Sequence, residues 1–313
     1  MQVSVIVPTR NGGKYLGQLF KTLKEQTFMP VQILAVDSSS DDDTSNICEA
    51  FGADFIQIDA KTFDHGGTRN LAASRAIGDV LVFMTQDVLF ETRECLKNLI
   101  KPLEDPIVAA SYGRQIPRVD ANPVEVFARS FNYPPTEVMK GVDDLPKLGV
   151  KTFFFSNACS AIKKRAYEDI GGFPERTIMN EDMFLAAKLI MKGYKIAYQP
   201  NAVVYHSHNY PLMRQFRRYF DIGVFFSTNH WIKDVARLER EGIRYLKEEI
   251  RFLSSNGERK WIPYALADTT VRFLDIGRAS WRGAYPFFLK KGQVSIKIFG
   301  SPRVHLLEGD LTC

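Results

Sequence analysis

Between Val3 and Met84 the chain switches repeatedly between a strand-like and a helix-like hydrophobic period, and this alternation restricts its fold more than any other feature. Val3–Val7 is a short apolar run ending at Pro8, and Tyr15, Leu16, Leu19, Phe20 and Leu23 then recur at helical spacing. Val31–Val36 predicts a second strand, Asp43–Phe51 a helix, Phe55–Ile58 a third strand, Asn70–Ala76 a helix and Val80–Met84 a fourth strand. Strands separated by helices pair in parallel, because each crossover helix must cover the sheet face it crosses. The expected class is α/β, with a mostly parallel central sheet flanked by helices. Such sheets bind ligands in the crevice at the carboxyl ends of their strands. The polar clusters fall there: Thr9-Arg10-Asn11, Asp37–Asp43 and Gln86-Asp87.

The pattern is weaker further on. Residues 117–149 are rich in Pro, Asp and Asn and read as a long connection with one short helix near Val124–Phe131, the kind of segment that serves as a lid or acceptor site. Phe153–Phe155 reads as a strand, Ala166–Ile170 as a short helix closed by Gly171-Gly172, Met183–Met191 as a helix, and Lys195–Tyr198 and Val203–His206 as two strands. Beyond Pro211 the pattern is mainly helical, with an amphipathic candidate at Asp234–Leu253. The division expected is an α/β domain over residues 1–210 and a helical C-terminal extension over 211–313. Residues 301–313 carry no readable signal.

The formal charge of +5 concentrates between Pro211 and Gly300. Basic residues there interleave with acids beside no recognisable motif, so nucleic acid is not an expected partner. Tyr219, Phe220, Phe225, Phe226 and Trp231, with Arg214, Arg217 and Arg218, suit either a membrane-surface helix or a helix packed on the α/β domain. Cys48, Cys95, Cys159 and Cys313 form no CxxC pair and read as reduced thiols. The N-terminus lacks the basic start of a signal peptide, and no stretch reaches the roughly 18 apolar residues of a membrane span. The expected location is the cytoplasm, either free or peripheral at the inner face of the cell membrane.

Neither a GxxxxGK[ST] loop nor a GxGxxG after a strand is present. What is present is an ordered set: Val5-Ile-Val-Pro-Thr-Arg-Asn-Gly-Gly, Val36-Asp37-Ser-Ser-Ser-Asp-Asp-Asp-Thr44, Arg69-Asn70, Ala76-Ile-Gly-Asp79, Phe83-Met-Thr-Gln-Asp87 and Asn180-Glu-Asp182. This set, spanning residues 3–210, resembles the family 2 inverting glycosyltransferases of GT-A type, a Rossmann-like fold. The resemblance implies a nucleotide-sugar donor held by Pro8, Thr9, Arg10, Asn11, Asp37, Ser39, Asp41, Arg69 and Gln86. It also implies a divalent cation, Mg²⁺ or Mn²⁺, at Asp87, where Thr85 replaces the first acid of the family's DxD motif. A histidine near the end of the last strand completes such metal sites. His206 and His208, two apart and on one face if extended, are the candidates, with His206 favoured. Asp182 is implied as the catalytic base and Glu181 as the group that orients the acceptor.

Physical chemistry supplies a plainer reading beside each of these. A carboxylate at Asp37 can accept from a pyrimidine N3–H or ribose hydroxyls, or merely organise a Ser-rich turn. Asp42, Asp43, Glu181 and Asp182 all stand where acids stabilise helix starts, with Asn180 placed to cap, and Asp87 could itself be an N-cap. A helix terminus would lower the Asp182 pKa, whereas a bound diphosphate would raise it. Gly66-Gly67 would let backbone approach a ligand closely, and Arg69 could pair with phosphate or stack on a base. Asp64-His-Gly-Gly-Thr-Arg-Asn70 with Thr85-Gln-Asp87 resembles bacterial rhamnosyltransferases, which implies dTDP-L-rhamnose as donor and a saccharide or lipid-linked saccharide of a surface polysaccharide as acceptor. The alternatives are a nucleotidyltransferase, although no Gly-rich basic activation loop is found, or a sugar-binding or assembly protein that has lost its chemistry.

Overall fold

Strand β1 (Val3–Thr9) is buried along its whole length, because helices cover both of its faces. The computed structural model describes residues 1–236, 241–270 and 272. Around β1 they build one sheet from β2 (Gln32–Asp37), β3 (Asp54–Gln57), β4 (Val80–Met84), β5 (Leu89–Phe90), β6 (Val108–Ile116), β7 (Val138–Lys140), β8 (Cys159–Lys163) and β9 (Lys195–Tyr205). The order is β3-β2-β1-β4-β8-β6-β9-β5, and β7 also pairs with β9. The β3-β2-β1-β4 block is parallel, as the alternation demands. The rest is mixed: β8 runs antiparallel to β4 and β6, while β9 is parallel to β6 and antiparallel to β5 and β7.

Alternate side chains along each strand enter opposite layers. Val3, Val5, Val7, Val82 and Met84 pack with Leu16, Leu19, Phe20 and Leu23 of α1 (Leu16–Lys24) and with neighbours of α2 (Thr44–Phe51). Ile6, Leu81 and Phe83 point the other way, toward Ala72 and Ala73 of α3 (His65–Arg75). The first layer also holds Leu96 and Leu99 of α4 (Cys95–Ile100). The connection between β6 and β8 carries α5 (Pro123–Asn132) and α6 (Leu145–Leu148), and α7 (Lys164–Asp169) and α8 (Glu181–Met191) follow β8. Then come α9 (Leu212–Thr228), α10 (His230–Val235), α11 (Glu241–Ser255) and a helical stretch at 262–270.

Several local expectations change. Within residues 117–149 the short helix expected near Val124–Phe131 is α5, and the connection also carries β7 and α6, which were not expected. Phe153–Phe155 is not a strand: Gly149–Phe153 is a 3₁₀ turn that drops Phe153 and Phe155 into the core, and the strand starts at Cys159. Strand β6 was not expected, because Val-Ala-Ala-Ser-Tyr-Gly-Arg has little intrinsic β preference and becomes a strand through its neighbours β8 and β9. The two strands expected at Lys195–Tyr198 and Val203–His206 are one, with a register shift between Gly113 and Arg114 that accommodates Pro200. The amphipathic segment expected at Asp234–Leu253 falls on the end of α10 and on α11, and residues 237–240 lie outside the described residues.

Phe225, Phe226 and Ile232 of α9 and α10 enter the same core layer as Phe83, and Trp231 meets Phe184 edge-on at 5.8 Å. These aromatics therefore pack inward onto the α/β domain rather than forming a membrane-facing stripe. No helix of the described residues is long and apolar enough to cross a membrane. Cys48, Cys95 and Cys159 are buried free thiols; Cys313 and the 301–313 segment lie outside the described residues.

Candidate active site

The β1 and β2 ends are stitched into one loop platform. Asp37 is 1% exposed, and its carboxylate accepts from the Ser40 backbone N–H at 2.9 Å and from the Ser40 hydroxyl. That hydroxyl in turn accepts from Asn11 N at 2.7 Å, and Asn11 Oδ1 accepts from Asp41 N at 3.1 Å. Asn11 and Ser39 hold φ of 48° and 58°, a left-handed conformation that costs non-glycine residues about 1 kcal/mol or more and gathers at functional loops. The turn-organising role of Asp37 is thus realised. Pro8 is buried within β1, and Arg10 is partly exposed beside it.

Gln86, expected to contact the donor, is turned inward. Its Oε1 accepts from Thr9 Oγ1 at 2.6 Å and Arg10 N at 2.9 Å, and its Nε2 donates to Arg10 O at 3.0 Å. It is the latch between the β4 and β1 ends, and it also engages the hydroxyl of Thr9. Gln86→Ala should destabilise the fold by about 1–3 kcal/mol, because it orphans buried partners, and should raise the donor KM. Urea denaturation and initial-rate kinetics check both effects.

Asp87 lies between β4 and β5, and β5 pairs antiparallel with the end of β9, Leu89 opposite Tyr205, so His206 and His208 just beyond β9 come to meet Asp87. Asp87 Oδ1 lies 3.6 Å from His206 Nε2, Asp87 Oδ2 lies 3.6 Å from His208 Nε2, and the two Nε2 atoms are 3.1 Å apart. All three donor atoms fall within 4.8 Å of one another. Ligand atoms bound at about 2.1 Å to one ion are separated by roughly 3.0–3.4 Å, so this set needs little adjustment to hold a cation. The tautomer also fits. Gln115 Oε1 accepts from Arg129 Nη1 at 2.6 Å and lies 2.8 Å from His206 Nδ1, so Nδ1 carries the proton and Nε2 keeps its lone pair. Burial, then Arg129 and His208, pushes the His206 pKa well down, and burial lowers that of His208. Both rings are therefore neutral, as ligands must be. Thr85, which replaces the usual acid, has a buried hydroxyl with no hydrogen-bond partner.

Positive charge surrounds this centre. Arg118 donates to the Asp87 carbonyl, and His208 stacks on Tyr210 at 4.8 Å. The guanidinium groups of Arg214 and Arg218 of α9 lie over the Tyr210 ring, 4.4 and 5.9 Å from its centroid. Gln115, Arg118, Arg129 and Tyr210 escaped the sequence reading, because their partners are far away along the chain and no local spacing marks them.

Glu181 and Asp182 open α8. Asn180 occupies the cap position but makes no side-chain cap bond and sits at φ 63°, so the plain capping reading fails. Glu181 is buried between the Asn157 amide at 3.1 Å and Arg69 Nη1 at 3.4 Å. Burial works against its charge, but Arg69, His65 and Asn157 together hold its pKa below the usual value. Asp182, half-buried, accepts from Met183 N at 2.7 Å and Asn157 N at 3.4 Å. Burial, then the neighbouring Glu181 charge, raises its pKa to about 7, outweighing the helix terminus expected to lower it.

Arg69 and Gly66 are also corrected. The Arg69 guanidinium is buried, donates to His65 O at 2.8 Å and faces Glu181, whose carboxylate needs a counter-charge, rather than an open phosphate surface. A Cβ at Gly66 would come within 1.8 Å of Pro174 O, so the backbone that approaches this glycine closely is the chain's own.

Three kinds of likeness bear on this arrangement. Residues 4–171 match the family described as glycosyl transferase family 2. The O-antigen chain rhamnosyltransferase RfbN of Salmonella typhimurium is 44% identical over 277 residues, covering 88% of each chain. WbaN of Salmonella anatum, also an O-antigen chain rhamnosyltransferase, is 46% identical over 274 residues, covering 87% of each. Among solved structures, the mannosyltransferase PcManGT of Pyrobaculum calidifontis, in complex with GDP-Man and Mn²⁺, superposes with a TM-score of 0.59 at 19% identity, over 88% of this chain and 87% of its own. Residues 1–349 of S. aureus TarS, with UDP-GlcNAc, give 0.55 at 17%, over 98% and 100%. At such identities the structures show a shared fold, which is the GT-A glycosyltransferase fold. With its motif order, its family match and its relatives in agreement, the chain belongs to glycosyl transferase family 2.

Proposed function

We propose that this glycosyltransferase transfers L-rhamnose from dTDP-L-rhamnose to a hydroxyl of a saccharide acceptor in O-antigen or similar surface-polysaccharide synthesis, with inversion and with a divalent cation. The observation that carries the chemistry is the half-buried Asp182 beside the Arg69-paired Glu181. The sugar is supported by the two rhamnosyltransferase relatives. We assign residues 1–210 to catalysis and 211–313 to a C-terminal extension, whose described helices α9 and α10 pack against the α/β domain, and we place the enzyme in the cytoplasm, near the inner membrane face if its acceptor is lipid-linked.

In this mechanism the Asp37, Ser39 and Asp41 platform holds the nucleotide, with Pro8, Thr9, Arg10 and Asn11 at its edge. Glu181 orients the acceptor. Its hydroxyl proton passes to Asp182 as the oxygen attacks the anomeric carbon, and the bond from that carbon to the diphosphate oxygen breaks on the opposite face. Asp87, His206 and His208 would hold the cation, which when bound neutralises charge developing on the leaving diphosphate. Two imidazoles beside one carboxylate suit Mn²⁺ better than the harder Mg²⁺.

A panel of nucleotide sugars, incubated with acceptor and with Mn²⁺, Mg²⁺ or chelator, tests the proposal. We expect dTDP-L-rhamnose to be turned over best and Mn²⁺ to support the fastest rate. Preference for a UDP or GDP hexose would overturn the donor assignment. Because only ionised Asp182 accepts a proton, and its pKa is raised to about 7, kcat/KM should climb with pH below neutrality and level off above it. A flat profile from pH 5 to 9 would contradict that role.

A further inference from the structure

We propose that Asp64, with Gly66 beside it, is a positioning residue: it clamps the segment at 173–177 and thereby holds Glu181 and Asp182 in the crevice. This rests on the reading of Asp182 as the base. Asp64 caps α3 by accepting from Gly66 N at 3.2 Å and Gly67 N at 2.9 Å. The same two oxygens accept from Arg176 N at 3.0 Å and Thr177 N at 3.2 Å, more than a hundred residues along the chain. An ordinary cap satisfies only its own helix. Here one carboxylate takes four backbone donors, filling its lone-pair sites, and half of them belong to the segment leading to the base.

The rest of α3 grips the same segment. Asn70 donates to Phe173 O at 3.1 Å and accepts from Phe173 N at 3.0 Å, and Arg69 meets Glu181. Gly66 lets Pro174 O lie where any Cβ would stand. Arg176 and Asn180, at φ 57° and 63°, are strained positions that need such fixing. Glu181, Arg69 and Tyr133 are the charged and titratable groups that act on Asp182, and His65 acts on Glu181. If the clamp loosens, Asp182 moves toward water and away from Glu181, becoming a weaker base that ionises at lower pH.

The test measures kcat, donor KM, the pH profile of kcat/KM and thermal melting in D64A, D64N and G66A, with D182N alongside. We expect D64A and G66A to lose at least about tenfold in kcat, with donor KM nearly unchanged and the acid limb displaced to lower pH. D64N, which keeps one acceptor oxygen, should recover part of the rate. Parental kcat with an unmoved acid limb, or a rate loss that only tracks the unfolded fraction, would overturn the clamp. If D64A does not fold, the limb of D64N decides in the same way. A D182N enzyme with parental rate would sink the base assignment and the clamp's catalytic purpose with it; an inactive D182N beside a parental D64A sinks the clamp alone.

Discussion

Asp182→Asn is expected to lower kcat by about a thousandfold while donor affinity stays within a few-fold of the parent, because the amide is nearly isosteric but cannot take the acceptor proton. Single-turnover transfer and calorimetric titration of the donor measure the two quantities separately. A residual rate near the parent's would remove Asp182 from the mechanism. Stability gives an independent sign. The folded-state pKa of Asp182 is raised to about 7, above its value in the unfolded chain. The folded form therefore holds that proton more tightly, and the stability linked to it is present at low pH and lost as pH rises through neutrality. Asn carries no such charge, so the variant should melt no lower than the parent above pH 7, and inactivity could not be ascribed to unfolding. On the proposed role, Asp182 burdens the fold in order to act as a base, a familiar trade between stability and activity.

Asp87→Ala should abolish metal-stimulated transfer and weaken Mn²⁺ binding by at least about a hundredfold, since even groups that only orient a ligand cost ten- to a hundredfold when removed. Mn²⁺ titration of the purified variant reads this directly, without substrate. His206→Ala should behave alike, because Gln115 and Arg129 fix its tautomer with Nε2 toward Asp87. Gln115→Leu should give a milder loss that excess Mn²⁺ restores. Undiminished Mn²⁺ affinity in Asp87→Ala would move the metal elsewhere. Full parental activity in chelator would instead remove the metal from the reaction.

Much of this was legible in the residues. The strand and helix periods from Val3 to Met84 required a parallel block, and the polar clusters at its strand ends identified the crevice. Asp87 with His206 and His208, and Glu181 with Asp182, were readable from motif order and are brought together by the fold as pairs or triads. Less legible was the second half of the sheet. Strand β6 carries small and polar residues, a pattern that does not stand out without its neighbours, and Pro200 made the single strand β9 read as two.

Roles rather than positions were where local sequence misled. Gln86, Arg69 and Gly66 lie in the right motifs, yet each faces the protein: Gln86 latches β1 to β4, Arg69 pairs with Glu181, and Gly66 admits the Pro174 carbonyl. A sequence specifies which residues carry charge, which lack a side chain and how often the apolar ones recur. By itself it therefore determined the α/β class, the crevice and the identity of the metal and base candidates. Only the tertiary structure decided which partners those groups meet. A buried charge or amide must find its complement wherever the chain returns to it, and that return joins Asp64 to Arg176 and Thr177, and Gln115 to His206, across separations that no local period records.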